Sequence, residues 1–525
     1  MRSTTFRGAA LLVGLLLAIP IVWAYATRLA DAPIYLHHDE VLVALNAHAI
    51  ATTGRDPAGN RLPLYFHVIG NLWQTPINIY ATALFFMLMP VSDTAIRLPS
   101  VVVGLLTVVL MYLVAKQILK RELLAVIAAG LLALTPALFI HSRLGFDHHY
   151  PALFVTAWLL CLTRYVERRR LTTLFAGTAI LGIGLYSYFA SLLLMPVFFV
   201  LTCVVLIELS GRSPRPYLVA ALGFAIPLLL VVPWLATHPS QLSENIKMYS
   251  LYDATRFGPL QGLRELLSYT SLTERVSVYY TYFNPSFLFF GGDASLVHST
   301  RQVGVFLFPI AVLLPLGLYH IATARPTRFN ALLVLGFLAS PLAGALVAEY
   351  YRISRALVML PFAILIATFG VEFCLNAPNR AWRVVGVCLL ALTPIQFAVF
   401  WRDYMTGYRA RSAGWFEENK RGAIEAVIAH EPVQSPRPIY LASDIPWGHS
   451  YLKLYLIEHG REDLFEQVRI FDPKHDALPA VPPGSFVISG VGEHQETARV
   501  KSDGFRTVAL MTEPNGTVSF AVLEK

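Results

Sequence analysis

The chain is 525 residues long, 56% hydrophobic and only 14% charged, with a mean hydropathy of +0.56 and a formal net charge of +8. An ordinary soluble domain carries about 25% charged residues, so a soluble globular reading is excluded. The basic excess sits mostly in short loops between apolar runs, where membrane topology explains it without nucleic acid.

Apolar runs close to the ~20 residues that ~30 Å of hydrocarbon demands recur along the chain. They cover residues 9–27, 98–118, 123–140, 149–163, 171–188, 190–209, 216–236, 304–323, 329–348, 355–375 and 382–401. Lipid offers the backbone no partners, so each is expected to be helical, and the fold class is an all-α polytopic membrane protein of about 11 transmembrane helices with a small α/β domain at its C-terminal end. The first run follows Arg2 and Arg7 like a signal peptide, but it continues through Trp23 to Thr27 and reads as an uncleaved anchor.

The anchor leads into a loop over 28–97, which holds the acidic stretch His37-His38-Asp39-Glu40 and a run Ile77–Pro90 too short to span. That short run is expected to be re-entrant or interfacial. Arg97 stands at the head of the second span, and a turn with Arg143 and Asp147-His148-His149 follows the third. A second long loop covers 237–303 and ends near His298 and Arg301, and the turn Tyr350–Arg355 brings Tyr351, Arg352 and Arg355 to the head of the tenth span.

Alternating the spans places Arg2, Arg7, Lys116, Lys120, Arg121, Arg164, Arg168, Arg169 and Arg170 on one side, with Arg212, Arg215, Arg325, Arg328, Arg380 and Arg383. Short cytoplasmic loops collect such residues, so the opposite side is external. It receives 28–97, 141–148, 237–303 and the tail, and with them both acidic stretches. The chain is therefore divided into a membrane domain over 1–401 and an extracytoplasmic domain over 402–525. In the latter an amphipathic stretch at Glu417–His430 and strand-like runs at Ile439–Ala442 and Ser485–Ile488 argue α/β structure. The four cysteines all fall in expected spans and read as apolar core residues.

No phosphate loop, dinucleotide fingerprint, H-E-x-x-H or D-x-D motif is present, so soluble nucleotides are poor substrate candidates. A reaction outside the cell would then use an already activated substrate. Carboxylates at the external face can deprotonate an acceptor hydroxyl, and guanidinium groups can hold a leaving phosphate. Two other readings stay open: a transporter or flippase of lipid-linked sugars, and a ligase or polymerase of lipid-linked glycans. Transport is disfavoured, because the charges cluster at span ends on one side and no repeat is evident.

Asp39-Glu40, Arg97-Leu98-Pro99-Ser100, Arg143 to Asp147, Tyr282-Phe283-Asn284-Pro285 through Phe290-Gly291-Gly292-Asp293 to His298-Ser299, and Arg352 to Arg355 form an ordered set. In that order they resemble the GT-C glycosyltransferases, and among these the branch of bacterial protein O-mannosyltransferases and the lipid A aminoarabinose transferase. The resemblance covers roughly residues 1–400. It implies an inverting glycosyl transfer from a polyprenyl-phosphate sugar donor to a lipid, glycan or protein acceptor, in the inner or plasma membrane with the active site on the extracytoplasmic face. Asp39 takes the position of the catalytic base, with Asp147 and Glu40 as the other catalytic acids. Arg352, Arg355, Arg97 and Arg301 are the donor-phosphate candidates, and His148, Tyr351 and His298 the substrate-binding ones. No nucleotide or redox cofactor is implied; some members of the superfamily depend on a divalent metal, for which His37, His38, His148 and His149 are the candidate ligands here, and metal dependence stays open.

Overall fold

A computed structural model describes residues 18–68, 73–211, 213–249, 251–252, 256–431, 437–472, 481–490 and 504–525. The chain divides into two compact units, one of residues 1–27, 63–78 and 99–401, the other of residues 28–62, 79–98 and 402–525.

The first unit is helical. Among the described residues six helices of the chain are long and apolar enough to cross a membrane: Asp93–Leu119, Ser191–Ser210, Pro214–Thr237, Arg328–Leu346, Met359–Asn376 and Arg380–Met405. Shorter apolar helices run over Glu122–Ala133, Leu171–Gly184 and Phe308–Ala324. Tyr150–Arg168 is also helical, and its charges gather in its last turn.

Several expected spans are broken, and proline explains the breaks. The run 123–140 stops at Ala133 and resumes as Pro136–His141; 216–236 is interrupted at Leu229-Leu230, just ahead of Pro233; 329–348 is interrupted at Ser340-Pro341. A proline cannot donate to the preceding turn and crowds its carbonyl. The expected tenth span begins later than its sequence suggests: Ile353–Arg355 forms a 3-10 turn, and the helix proper starts at Met359. Pro76–Phe86 is a helix of 11 residues, a rise of about 16 Å, roughly half the hydrocarbon thickness.

Helix Met359–Asn376 is buried on nearly every face and is the centre of the main core. It packs against Phe308–Ala324 backbone to backbone. A Cβ on Gly317 would lie 1.8 Å from the Ile366 carbonyl oxygen, and one on Gly370 would lie 2.1 Å from that of Leu313. Only glycine permits that approach, the small-residue packing that holds helices together where lipid supplies no hydrophobic drive.

The second unit contains a five-stranded sheet. Its strands, numbered after the short pair β1 (Phe66–His67) and β2 (Trp73–Gln74) of the first unit, are β3 (Ile439–Ala442), β4 (Val468–Phe471), β5 (Phe486–Gly490), β6 (Arg506–Thr512) and β7 (Val518–Glu524). The order is β4-β3-β5-β7-β6, parallel across β4, β3 and β5 and antiparallel from β5 through β7 to β6. Helices Lys420–His430 and Gly448–Glu458 share an apolar core with the sheet, and helix His38–Thr53 adds Val41 and Ala44 to it. Tyr451 donates to the Leu36 carbonyl at 2.7 Å, so the segment before that helix is fixed within the same unit.

Candidate functional site

In the second unit the first acidic stretch is a helix start. His37 is the N-cap of His38–Thr53, its Nδ1 accepting from the Asp39 amide, while Glu40 reaches back to accept from the His37 amide at 2.9 Å. Acidic residues in a first turn also complement the helix dipole. Two neighbouring carboxylates thereby acquire opposite environments.

Glu40 is fully buried and meets Arg97 through two contacts, Nε–Oε1 at 2.8 Å and Nη2–Oε2 at 3.0 Å. Arg97 also donates to the carbonyls of Leu29, Pro33 and Tyr35. This corrects both assignments. A buried guanidinium shared among one carboxylate and three carbonyls has no fork left for a phosphate, and a carboxylate held by it cannot act as a base. Arg97 and Glu40 hold the loop in shape.

Asp39 is the accessible member, its side chain 46% exposed. It lies 3.5 Å from His37 Nδ1 and 3.4 Å from His38 Nε2. Burial lowers the His37 imidazole below its ordinary value, against the pull of Asp39. His38 is clamped on its other side: Nδ1 meets Glu417 Oε1 at 2.8 Å, and the ring stacks on Trp447 at 4.8 Å and 4°. Glu417 and Trp447 both adopt left-handed backbone conformations, φ 66° and 59°, which non-glycine residues hold only where their surroundings impose it. Burial raises the Glu417 carboxyl, but its bonds to His38 and Lys420 bring it down to about 2.

In the first unit Asp147 accepts from the Thr75 hydroxyl at 2.7 Å. Around it Asn78 donates to the Gly145 carbonyl, and Tyr150 donates to Asn78. Arg143, from the same motif, is buried and caps the end of the helix over residues 18–26 through the carbonyls of Ala24, Tyr25 and Thr27. The two neighbouring histidines separate: His149 is buried against the Ser100 carbonyl at 3.0 Å, whereas His148 joins His141 and His298. His149 stands outside that cluster, its Nε2 bonded to the Ser100 carbonyl. His37, His38 and Asp39 form the other cluster of close ligand atoms among the described residues.

The arginines also differ. Arg355 is paired bidentately with Glu349 at 3.0 and 3.1 Å and donates to the Tyr188 hydroxyl at 2.5 Å, with Tyr188 and Tyr249 rings beside its guanidinium. It lines a cavity of about 170 Å³ whose other walls include Phe189, Leu193, Leu346, Val347 and Tyr249. Arg352 points elsewhere, 40% exposed and 3.8 Å from Asp293. Asp293 is buried and accepts from the amides of Ser295 and Ile353, so it ties the turn before Arg355 to the preceding loop. Burial pushes its carboxyl up to about 6 against those bonds and Arg352. Arg301, at φ 57°, is exposed and bonds the Ala294 carbonyl. Tyr351 packs its ring near Phe287 at 5.9 Å.

Of the expected residues, the structure brings Asp39 together with His37 and His38, and His148 with His298. It separates Arg352 from Arg355 by giving them different partners. Sequence reading missed Glu349, Tyr188 and Tyr249, which surround Arg355, and Glu417 and Trp447, which hold His38. None of these carries a local signal; Asp293 did, standing inside a quoted motif.

Residues 74–236 match the family model described as dolichyl-phosphate-mannose-protein mannosyltransferase. No curated protein matches the chain by sequence. In fold the chain is similar to the crystal structure of ArnT from Cupriavidus metallidurans in the apo state, at 15% identity and a TM-score of 0.57, covering 100% of this chain and 98% of that one. It is also similar to the same protein bound to undecaprenyl phosphate, at 14% and 0.54 over 98% and 97%. A third is the Archaeoglobus fulgidus oligosaccharyltransferase tethered with an acceptor peptide, at 14% and 0.52 over 98% of this chain and 74% of that one. The resemblance to GT-C glycosyltransferases holds in the fold and in the matched segment. The chain is a mostly helical, multi-pass membrane protein with a strand-containing C-terminal region.

Proposed function

We propose that this chain is an integral membrane glycosyltransferase that takes a sugar from a polyprenyl-phosphate donor and passes it to a hydroxyl or phosphate acceptor on a lipid, glycan or protein, with inversion. The observation that carries the reading is the cavity at Arg355. Apolar walls suit a prenyl chain, and a guanidinium at their edge suits its phosphate. Glu349 holds that guanidinium in one orientation through Nε and Nη2, which leaves further N–H groups for a ligand.

In this reading Asp39 removes the acceptor's proton, with Asp147 orienting the acceptor or sharing that role. The acceptor oxygen then bonds to the anomeric carbon from the face opposite the leaving group, the carbon–oxygen bond to phosphate breaks, and polyprenyl phosphate departs with its charge offset by Arg355. The exposure of Asp39 and the fixed geometry of His38 support the base assignment. Arg352 and Arg301 are secondary phosphate candidates. The chain crosses the inner or plasma membrane about eleven times, with 28–97, 237–303 and 402–525 outside.

Neither nucleotide nor redox cofactor has a part in this chemistry. The test is a purified-protein assay with polyprenyl-phosphate-linked sugars, scored for release of polyprenyl phosphate; release that depends on acceptor supports transfer, and uptake into vesicles without release would point to transport instead. Cysteines introduced at Thr53 and Asp444 should label from outside, and one at Arg169 only after permeabilisation. Cytoplasmic labelling at position 53 removes the proposed face.

A further inference from the structure

We propose that His141, His148 and His298 form a binding site for one transition-metal ion of the zinc class. One ring nitrogen of each lies within 4.8 Å of the other two. They come from three separate places in the first unit: the end of helix Pro136–His141, the turn after Asp147, and the loop before helix Phe308–Ala324. The His141 and His298 rings stack, their centroids 5.1 Å apart and their planes 3° from parallel, and the His148 ring meets that of His298 edge-on at 5.2 Å.

His141 carries the argument furthest. It is fully buried, and its Nδ1 bonds the Ala137 carbonyl at 2.8 Å, which places the proton on Nδ1 and a lone pair on Nε2. Among the described residues that Nε2 has no hydrogen-bond partner. A metal-binding histidine shows the same division, with one nitrogen fixed by a carbonyl and the other bare. A buried acceptor with nothing to accept is destabilising, and a cation at Nε2 removes that cost.

The donor set decides the class of ion. Three imidazoles and no carboxylate suit zinc, nickel, copper or iron, whereas magnesium, manganese and calcium take oxygen ligands. Tetrahedral zinc with nitrogens at ~2.0–2.1 Å holds them about 3.4 Å apart, so on binding the nitrogens approach by at most about 1.4 Å and one of the two stacked rings turns to bring its lone pair to the ion. His148 also meets the Tyr188 ring at 4.9 Å, and Tyr188 accepts from Arg355, so an ion here pins the turn after Asp147 to the walls of the proposed donor cavity. The inference does not depend on the transferase reading, since an ion can bind whether or not transfer occurs.

The experiment is metal analysis of the full-length protein purified without chelator. About one zinc-class ion per chain is expected, reduced several-fold in His141→Asn and in His298→Asn. Wild-type protein stripped with a chelator should melt lower and recover with Zn2+ and not with Mg2+. Cobalt substitution should give the d–d absorption of a nitrogen-ligated site, lost in the same variants even where their metal content is blurred by partial unfolding. His38→Asn, in the other cluster, should keep the ion. Absence of stoichiometric metal together with no Zn2+-induced stabilisation overturns the proposal, as does loss of the ion in His38→Asn with retention in His141→Asn.

Discussion

Arg97 and Arg355 are the same residue in two regions, and they do opposite things. In the second unit Arg97 is completely buried and surrounded by Glu40 and three backbone carbonyls. In the first, Arg355 is 16% exposed, shares Glu349 and Tyr188, and borders a cavity. In the sequence both stand at the head of an expected span as phosphate candidates, with Arg355 and its neighbour Arg352 the favoured pair. What separates them is how many of the five guanidinium N–H groups the protein itself consumes and whether empty space adjoins the rest. The carboxylates repeat the lesson one residue apart, with Glu40 enclosed by Arg97 and Asp39 open between two imidazoles.

The carboxylate half of that comparison carries the largest expected effect. Asp39→Asn preserves shape and removes the basic oxygen, so turnover should fall on the order of 10²- to 10⁴-fold with the thermal midpoint unchanged. Wild-type turnover would move the base to Asp147. Glu40→Gln should do the reverse, leaving the charge of Arg97 buried without its counter-ion. Breaking such a pair costs about 3–5 kcal/mol, visible as a lower melting temperature and poor recovery of folded protein.

The arginines come next. Arg355→Lys keeps the charge and loses the planar fork, and Arg355→Ala loses both; each hydrogen bond to a charged group contributes ~1.5–3 kcal/mol, so Ala should raise the apparent donor KM more than Lys, with the acceptor KM little affected. Equal effects on donor and acceptor would show that Arg355 supports structure as Arg97 does. A smaller effect is expected at Glu417→Gln, which keeps the hydrogen-bonding shape beside His38 and removes the charge. It should lower turnover several-fold without changing donor KM, and no change in turnover would mean that the clamp on His38 serves folding alone.

The smallest effect is a pH dependence. The Asp293 carboxyl, ordinarily near 3.8, is raised to about 6 by burial. A raised value favours the protonated form in the folded state, so its contribution to stability is complete below about 4 and is lost as pH rises through 6. Melting temperature between pH 4 and 7 should fall less steeply for Asp293→Asn than for the wild type. Parallel slopes would show that Asp293 does not titrate in this range.

The membrane character, the helical fold and the strands at Ile439–Ala442 and Phe486–Gly490 were legible in the sequence, because hydrophobic run length and alternation are local properties that lipid and sheet burial enforce directly. So was the ordered set of motifs that marks the GT-C resemblance. Where spans break was less legible, although Pro136 and Pro341 were visible, because a proline bends some helices and ends others according to what packs around it. The partners of each charged side chain belonged to the tertiary structure alone. Glu417 reaches His38 across 379 positions, and Tyr188 reaches Arg355 across 167. No local pattern encodes such contacts. Residue type fixes what a guanidinium, carboxylate or imidazole can bind, and the packing of distant segments decides whether that capacity is spent on the protein's own atoms or left for a ligand.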